Sequence, residues 1–124
     1  MANAVTAGGF IFVTGDDIDI TGNVVTTAAG ASAILFNNPV GPNTGEVRIR
    51  NGGLSAVSTG GMATIDVGGA YGFGSIDIDQ DVSVAGKVFG EGYSGIELRL
   101  RAQDIHVGGN LFAGVDGSPG AGSH

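Results

Sequence analysis

The sequence predicts an all-β fold, a parallel β-helix (β-solenoid) of about four irregular coils with little or no α-helix. Three observations carry that expectation. Apolar and polar residues alternate at period two through most of the chain, glycine is abundant at 25 of 124 residues against three prolines, and one strand–corner–strand pattern recurs. A glycine content this high costs backbone entropy wherever the chain is ordered. It is tolerable where many short strands need tight corners and close backbone approach. With 42% hydrophobic residues the chain has enough apolar surface for one core, which separates it from disordered sequences. Its length fits a single domain over residues 1–124.

The strands follow in order. Phe10-Ile11-Phe12-Val13, Ile18-Asp19-Ile20, Val47-Arg48-Ile49-Arg50, Ile76-Asp77-Ile78-Asp79, Leu98-Arg99-Leu100-Arg101 and Ile105-His106-Val107 each read as a strand with apolar side chains on one face. No stretch holds i, i+3, i+4, i+7 apolar spacing across three turns without glycine, so helix is not expected. Three segments align with one another: FIFVTGDDIDITGNVV from Phe10, IDIDQDVSVAGKVF from Ile76 and LRLRAQDIHVGGNLF from Leu98. Their shared core is D-[IV]-x-[IV]-x-G-x-[VL]-[VF], beginning at Asp17, Asp81 and Asp104, and VRIRNGGLSAV from Val47 is a degenerate fourth copy. Counted from Ile11, Val47, Ile76 and Leu98, the coils are 36, 29 and 22 residues apart. The two longer coils leave room for a third strand, at Ala33-Ile34-Leu35-Phe36 and at Ile65-Asp66-Val67.

Stacking the copies predicts side-chain columns. Val47, Ile76 and Leu98 form one interior column and Ile49, Ile78 and Leu100 a second. Outside, a charge ladder runs Arg48, Asp77, Arg99 and, beside it, Arg50, Asp79, Arg101. Rungs of a parallel sheet lie about 4.8 Å apart, so each pair of neighbours contributes roughly 0.2–1 kcal/mol and selects register. Asp19 falls outside these columns, so charge reversal at Asp77 is expected to destabilise more than reversal at Asp19.

The pattern resembles the β-helical repeats of filamentous-haemagglutinin-type exoproteins, the large secreted adhesins of bacteria, over roughly residues 10 to 115. The resemblance implies a right-handed parallel β-helix, an extracellular or bacterial cell-surface location, and an adhesive or scaffolding role. The length of those proteins and their secretion-domain motifs are not found here. A fainter similarity is to bactofilins, whose coils are shorter and more regular; it implies an intracellular filament.

Charge and composition exclude several functions. A net charge of −7 with five basic residues repels nucleic acid and anionic bilayers. The absence of cysteine removes disulfides, zinc–thiolate sites and thiol catalysis. The longest apolar stretches, such as Ala33 to Phe36, are too short for membrane insertion, and the N-terminus lacks the basic segment of a signal peptide, so export would rely on a signal outside this sequence.

No catalytic or cofactor-binding residues are assigned, and no enzyme activity is expected. For a metal, the acidic clusters Asp16, Asp17, Asp19 and Asp77, Asp79, Asp81 offer oxygens to a structural calcium ion. The second cluster lacks an EF-hand's glycine and closing glutamate, and pairing with arginine is the preferred reading. His106 alternates with Ile105 and Val107 and should point outward; Ser83 is its equivalent on the preceding coil, but a solvated surface histidine is preferred over Ser-His chemistry. Tyr71, Phe73 and Tyr93 in glycine-rich loops are candidates for stacking on surface glycans. A carbohydrate-binding or carbohydrate-processing module of a larger exoprotein is therefore the alternative reading.

A short solenoid leaves strands without partners at both ends. No capping helix is legible, only residues 1–9 and 114–124, which read as flexible or inter-subunit segments. The leading expectation is a structural subunit that partners itself, head to tail, in an extracellular fibre or surface adhesin.

Overall fold

A computed structural model describes residues 5–69, 71–87 and 96–116, and within them every regular element is a strand. In chain order these are β1 (Val5–Ala7), β2 (Phe10–Thr14), β3 (Asp17–Thr21), β4 (Val24–Ala28), β5 (Ser32–Asn37), β6 (Glu46–Arg50), β7 (Leu54–Ser58), β8 (Ala63–Gly68), β9 (Phe73–Ile78), β10 (Val82–Lys87), β11 (Ile96–Leu100), β12 (Ala102–Val107) and β13 (Leu111–Asp116).

Each strand pairs, in parallel, with the strand three places before it or after it. The result is three sheets, ordered β1-β4-β7-β10-β13, β2-β5-β8-β11 and β3-β6-β9-β12. The chain is a β-solenoid with a three-sided coil. Its complete rungs are β2-β3-β4, β5-β6-β7, β8-β9-β10 and β11-β12-β13, and three full turns carry the chain from β2 to β11.

Period-two alternation produces this shape because it gives every strand one apolar face to turn inward. On the β3 sheet the inward columns are Ile18, Val47, Ile76, Ile105 and Ile20, Ile49, Ile78, Val107. The β2 sheet supplies Ile11, Ile34, Ile65, Leu98 and Val13, Phe36, Val67, Leu100. The β4 sheet supplies Val24, Leu54, Val82, Leu111 and Thr26, Ala56, Val84, Ala113. In the middle rungs these side chains are sealed, with Ile34, Val47, Ile49, Ile65 and Val82 all at 0% exposure.

The interior columns therefore differ from the expected ones. Val47 and Ile76 stack as anticipated, but the next residue is Ile105, and Ile49 and Ile78 are followed by Val107. Leu98 and Leu100 belong to another side of the coil, over Ile65 and Val67. The physical reason is that all three sides of the coil share one local pattern, so a copy from one side aligns with a copy from the next. The segments from Phe10 and Leu98 are in phase with each other, as are those from Val47 and Ile76, but the two pairs are offset by one side. Correct phasing also removes the 36, 29, 22 irregularity on this side: Ile18, Val47, Ile76 and Ile105 recur every 29 residues, the separation at which Glu46 N–H meets Asp17 Oδ1. The two extra strands inferred at Ala33 to Phe36 and at Ile65 to Val67 are β5 and β8.

At the N-terminal end Val5–Ala7, read from sequence as a terminal segment, is strand β1, held on β4 with Val5 opposite Val24. At the other end, Gly114–Asp116 completes β13.

Corners stack backbone on backbone, which is where glycine is required. A Cβ on Gly53 would lie 1.9 Å from the Asp81 carbonyl oxygen on the next coil. Corner Asp and Asn side chains join the coils: Asp17 Oδ1 accepts Glu46 N–H at 3.2 Å, Asn23 Oδ1 accepts Gly53 N–H at 3.0 Å, and Asp81 Oδ1 accepts Asn110 N–H at 2.7 Å. The long corner between β5 and β6 is organised by buried Asn38. Its amide nitrogen donates to the carbonyls of Gly41 and Gly72, both at 2.8 Å, and its Oδ1 accepts Val40 N–H at 3.0 Å.

Candidate functional site

Two regions carry the chemistry: the charged outer face of the β3 sheet and the C-terminal end of the coil. Alternation that turns Ile18, Val47, Ile76 and Ile105 inward turns their neighbours outward, giving the ladder Asp19, Arg48, Asp77, His106. A second outward ladder runs Asp17, Glu46, Ser75, Asp104.

Only part of the expected charge ladder is present. Arg48 and Asp77 are register partners, but Arg99 and Arg101 are elsewhere. Arg99 stands on β11 and approaches Asp66 at 3.9 Å, while Arg101 Nη1 donates to the Gly69 carbonyl at 2.7 Å. Asp79 lies beyond the end of β9, and its carboxylate accepts Asn51 N–H at 2.7 Å. Arg50 instead reaches Asp19 at 3.2 Å, and Arg48 pairs with Glu46 on its own strand. Asp19, expected outside the columns, heads one of them and holds an ion pair, so the expected ranking of Asp77 over Asp19 loses its basis.

The six candidate aspartates do not assemble into a cation site. Among the described residues no three His, Asp or Glu side chains converge where a metal ion could sit. Asp17 and Asp81 instead accept backbone N–H groups of the adjoining coil, and Asp19 is engaged by Arg50. Asp77 and Asp79 flank inward-facing Ile78.

A shallow depression of about 250 Å³ lies on this face, lined by Glu46, Ser75, Asp77, Asp104 and His106 with Ile76 and Ile105. Ser75 Oγ donates to Glu46 Oε2 at 3.1 Å. His106 is exposed, as expected, and faces Asp77 across the ladder. Ser83 is not its counterpart: it lies on β10 between Ser55 and Phe112, on a different side of the coil. The pairing of a serine with this imidazole that acyl chemistry needs is therefore absent from these two positions.

Of the aromatics expected to meet glycans, Tyr71 is half-exposed, Phe73 is fully buried at the start of β9, and Tyr93 lies outside the described residues. Phe73 is buried although it stands three residues before Ile76 and so out of the alternation that turns Ile76 and Ile78 inward: the period-two pattern breaks over Gly74 and Ser75. Among the described residues, Phe10, Phe12 and Phe112 are exposed as well as Tyr71. The signal for the first two was in FIFV itself: with Ile11 inward, both phenylalanines must face out.

The C-terminal end is open. Ile105 and Leu111 occupy inward positions on the last rung, yet they are 47% and 60% exposed. Their column partners Ile76 and Val82, one rung earlier, are at 1% and 0%. At the opposite end Ile11 and Ile18 are covered, each at 6%. Edge strands β11, β12 and β13 finish their sheets, so among the described residues one row of their backbone groups has no ladder partner.

No helix of the described residues is long and apolar enough to cross a membrane. Searches against protein-family models, curated proteins and solved structures find no match to this chain.

Proposed function

We propose that this chain is a structural, non-catalytic β-solenoid subunit that associates with copies of itself end to end, in a fibre or adhesin outside the cell. The observation that carries the reading is the last rung, where Ile105 and Leu111 keep inward positions yet stay exposed.

A second feature supports it. The first and last rungs have the same corner lengths, since Ile11, Ile18 and Val24 are seven and then six residues apart, as are Leu98, Ile105 and Leu111. A first rung laid on a last rung therefore matches its corners. Burying what remains exposed of Ile105 and Leu111 contributes about 1 kcal/mol each. That is too little against an association cost of roughly 4–15 kcal/mol, so the ladder hydrogen bonds of three edge strands, about 0.5–1.5 kcal/mol apiece, must supply the rest. The joint needs strand pairing as well as apolar contact. The extracellular setting is supported by the repeat resemblance alone.

Sedimentation velocity and negative-stain microscopy across a concentration series test the reading. The wild-type chain should elongate into rods of constant width, and Leu111→Asp should remain monomeric. Wild-type protein that stays monomeric throughout would overturn it.

A further inference from the structure

The strand order of the three sheets sets a condition on any such joint. Every strand n neighbours strand n+3, and the β4 sheet holds five strands against four in each of the others because β1 precedes the first complete rung. If β2 and β3 of a second copy pair with β11 and β12, they take the fourteenth and fifteenth places in the winding. The second copy's β1 would then be due in the thirteenth place, which β13 already fills. Both strands cannot occupy it.

We infer that the edge of β4 now covered by β1 is the receiving site for β13 of a second copy, so that stacking proceeds by strand exchange. This deepens the end-to-end reading and rests on it.

The registers agree with the exchange. β1 covers three residues of β4, with Val5, Thr6 and Ala7 opposite Val24, Val25 and Thr26. The column that places Leu111 over Val82, and Val82 with Val24 over Leu54, puts an incoming Leu111 opposite Val24, Phe112 opposite Val25 and Ala113 opposite Thr26. Gly114 and Val115 then continue opposite Thr27 and Ala28, which β1 does not reach. A three-residue strand is replaced by a six-residue one, and exposed Leu111 gains a neighbour on the open side of its column.

The connection also permits release. Gly8 and Gly9 follow β1, Gly9 adopts φ 146°, and a Cβ built there meets nothing within 4 Å. The segment is held at Gly9, whose N–H donates to Oγ1 of buried Thr26 at 3.0 Å and whose carbonyl accepts from that hydroxyl at 2.6 Å and from Ala33 N–H at 2.9 Å. Pivoting N-terminal to that clamp frees β1 without disturbing β2.

The test locks β1 in place. The chain has no cysteine, so the double variant Thr6→Cys with Val25→Cys in the full-length protein carries one thiol pair, on register partners. Oxidised, it should require at least a tenfold higher concentration to form rods, and reduction should restore the wild-type threshold. The variant Ala7→Pro weakens the hold of β1 and should lower the threshold. An oxidised variant that assembles like the reduced one, or Ala7→Pro assembly no easier than wild type, would overturn the exchange while leaving end-to-end stacking in place. If wild type, reduced variant and Ala7→Pro all stay monomeric, the stacking reading fails and takes the exchange with it.

Discussion

Replacing Gly53 with alanine measures what it costs to lay one turn of this chain on the next. The new Cβ would sit 1.9 Å from the Asp81 carbonyl oxygen and 2.9 Å from the Asp81 amide nitrogen, all backbone atoms of the following coil. Reaching ordinary contact means moving the two corners apart by about 1.5 Å, because a carbon and an oxygen rest near 3.5 Å. Three inter-coil hydrogen bonds converge there: Leu54 N–H to the Asp81 carbonyl at 3.0 Å, Val24 N–H to the Gly53 carbonyl at 2.9 Å, and Gly53 N–H to Asn23 Oδ1 at 3.0 Å. At about 1 kcal/mol each their loss costs about 3 kcal/mol, offset by roughly 0.4–1 kcal/mol from the stiffer unfolded chain. The expected loss of about 2–3 kcal/mol lowers the melting temperature by about 10 °C for a domain of this size. Gly30→Ala is the matched control, because a Cβ there meets nothing within 4 Å, and it should be neutral or slightly stabilising. Urea titration and thermal melts followed by circular dichroism measure both. Equal stability of the two variants would refute the close stacking of these corners.

Other perturbations separate the remaining interactions. Asp19→Arg removes the partner of Arg50 and sets a third cation beside Arg48, so it should destabilise by about 1 kcal/mol in urea titration, shrinking in 1 M salt because these groups are partly exposed. Asn38→Ala strips a buried amide from the Gly41 and Gly72 carbonyls and from Val40 N–H, and should cost about 2–3 kcal/mol, with faster hydrogen exchange at Val40. Ile49→Ala empties a fully buried column position and should cost about 2–5 kcal/mol, whereas Ile105→Ala on the open last rung should cost less than half as much in the monomer.

The strands were legible because a half-buried strand must alternate, and residues such as Val47 to Arg50 or Ile76 to Asp79 do so without interruption. Their inward faces followed directly, and so did the outward direction of His106. Phase around the coil was not legible. A three-sided solenoid repeats its strand–corner–strand chemistry on every side, so Asp81 at the corner before β10 looks like Asp17 at the start of β3. Only spacing distinguishes them, and the long corner after Asn38 disguises the 29-residue period that Ile18, Val47, Ile76 and Ile105 keep. Misphasing carried Leu98 into the wrong column and drew Arg99 and Arg101 into a ladder that β12 completes with His106 instead. The acceptor role of corner carboxylates escaped notice for a related reason: Asp17 and Asp81 bond to backbone N–H groups, which leave no mark in the identity of the donor residue. Unpartnered edges were anticipated at both ends, but which end exposes its core positions was not legible: Ile105 and Leu111 are exposed on the last rung, while Ile11 and Ile18 are covered on the first.

The most direct measurement is a set of backbone nuclear Overhauser contacts from Asp77 to the coil that follows it. A three-sided coil with the phasing above gives contacts between Asp77 and His106 and none between Asp77 and Arg99. Contacts from Asp77 to Arg99 in place of His106 would contradict it.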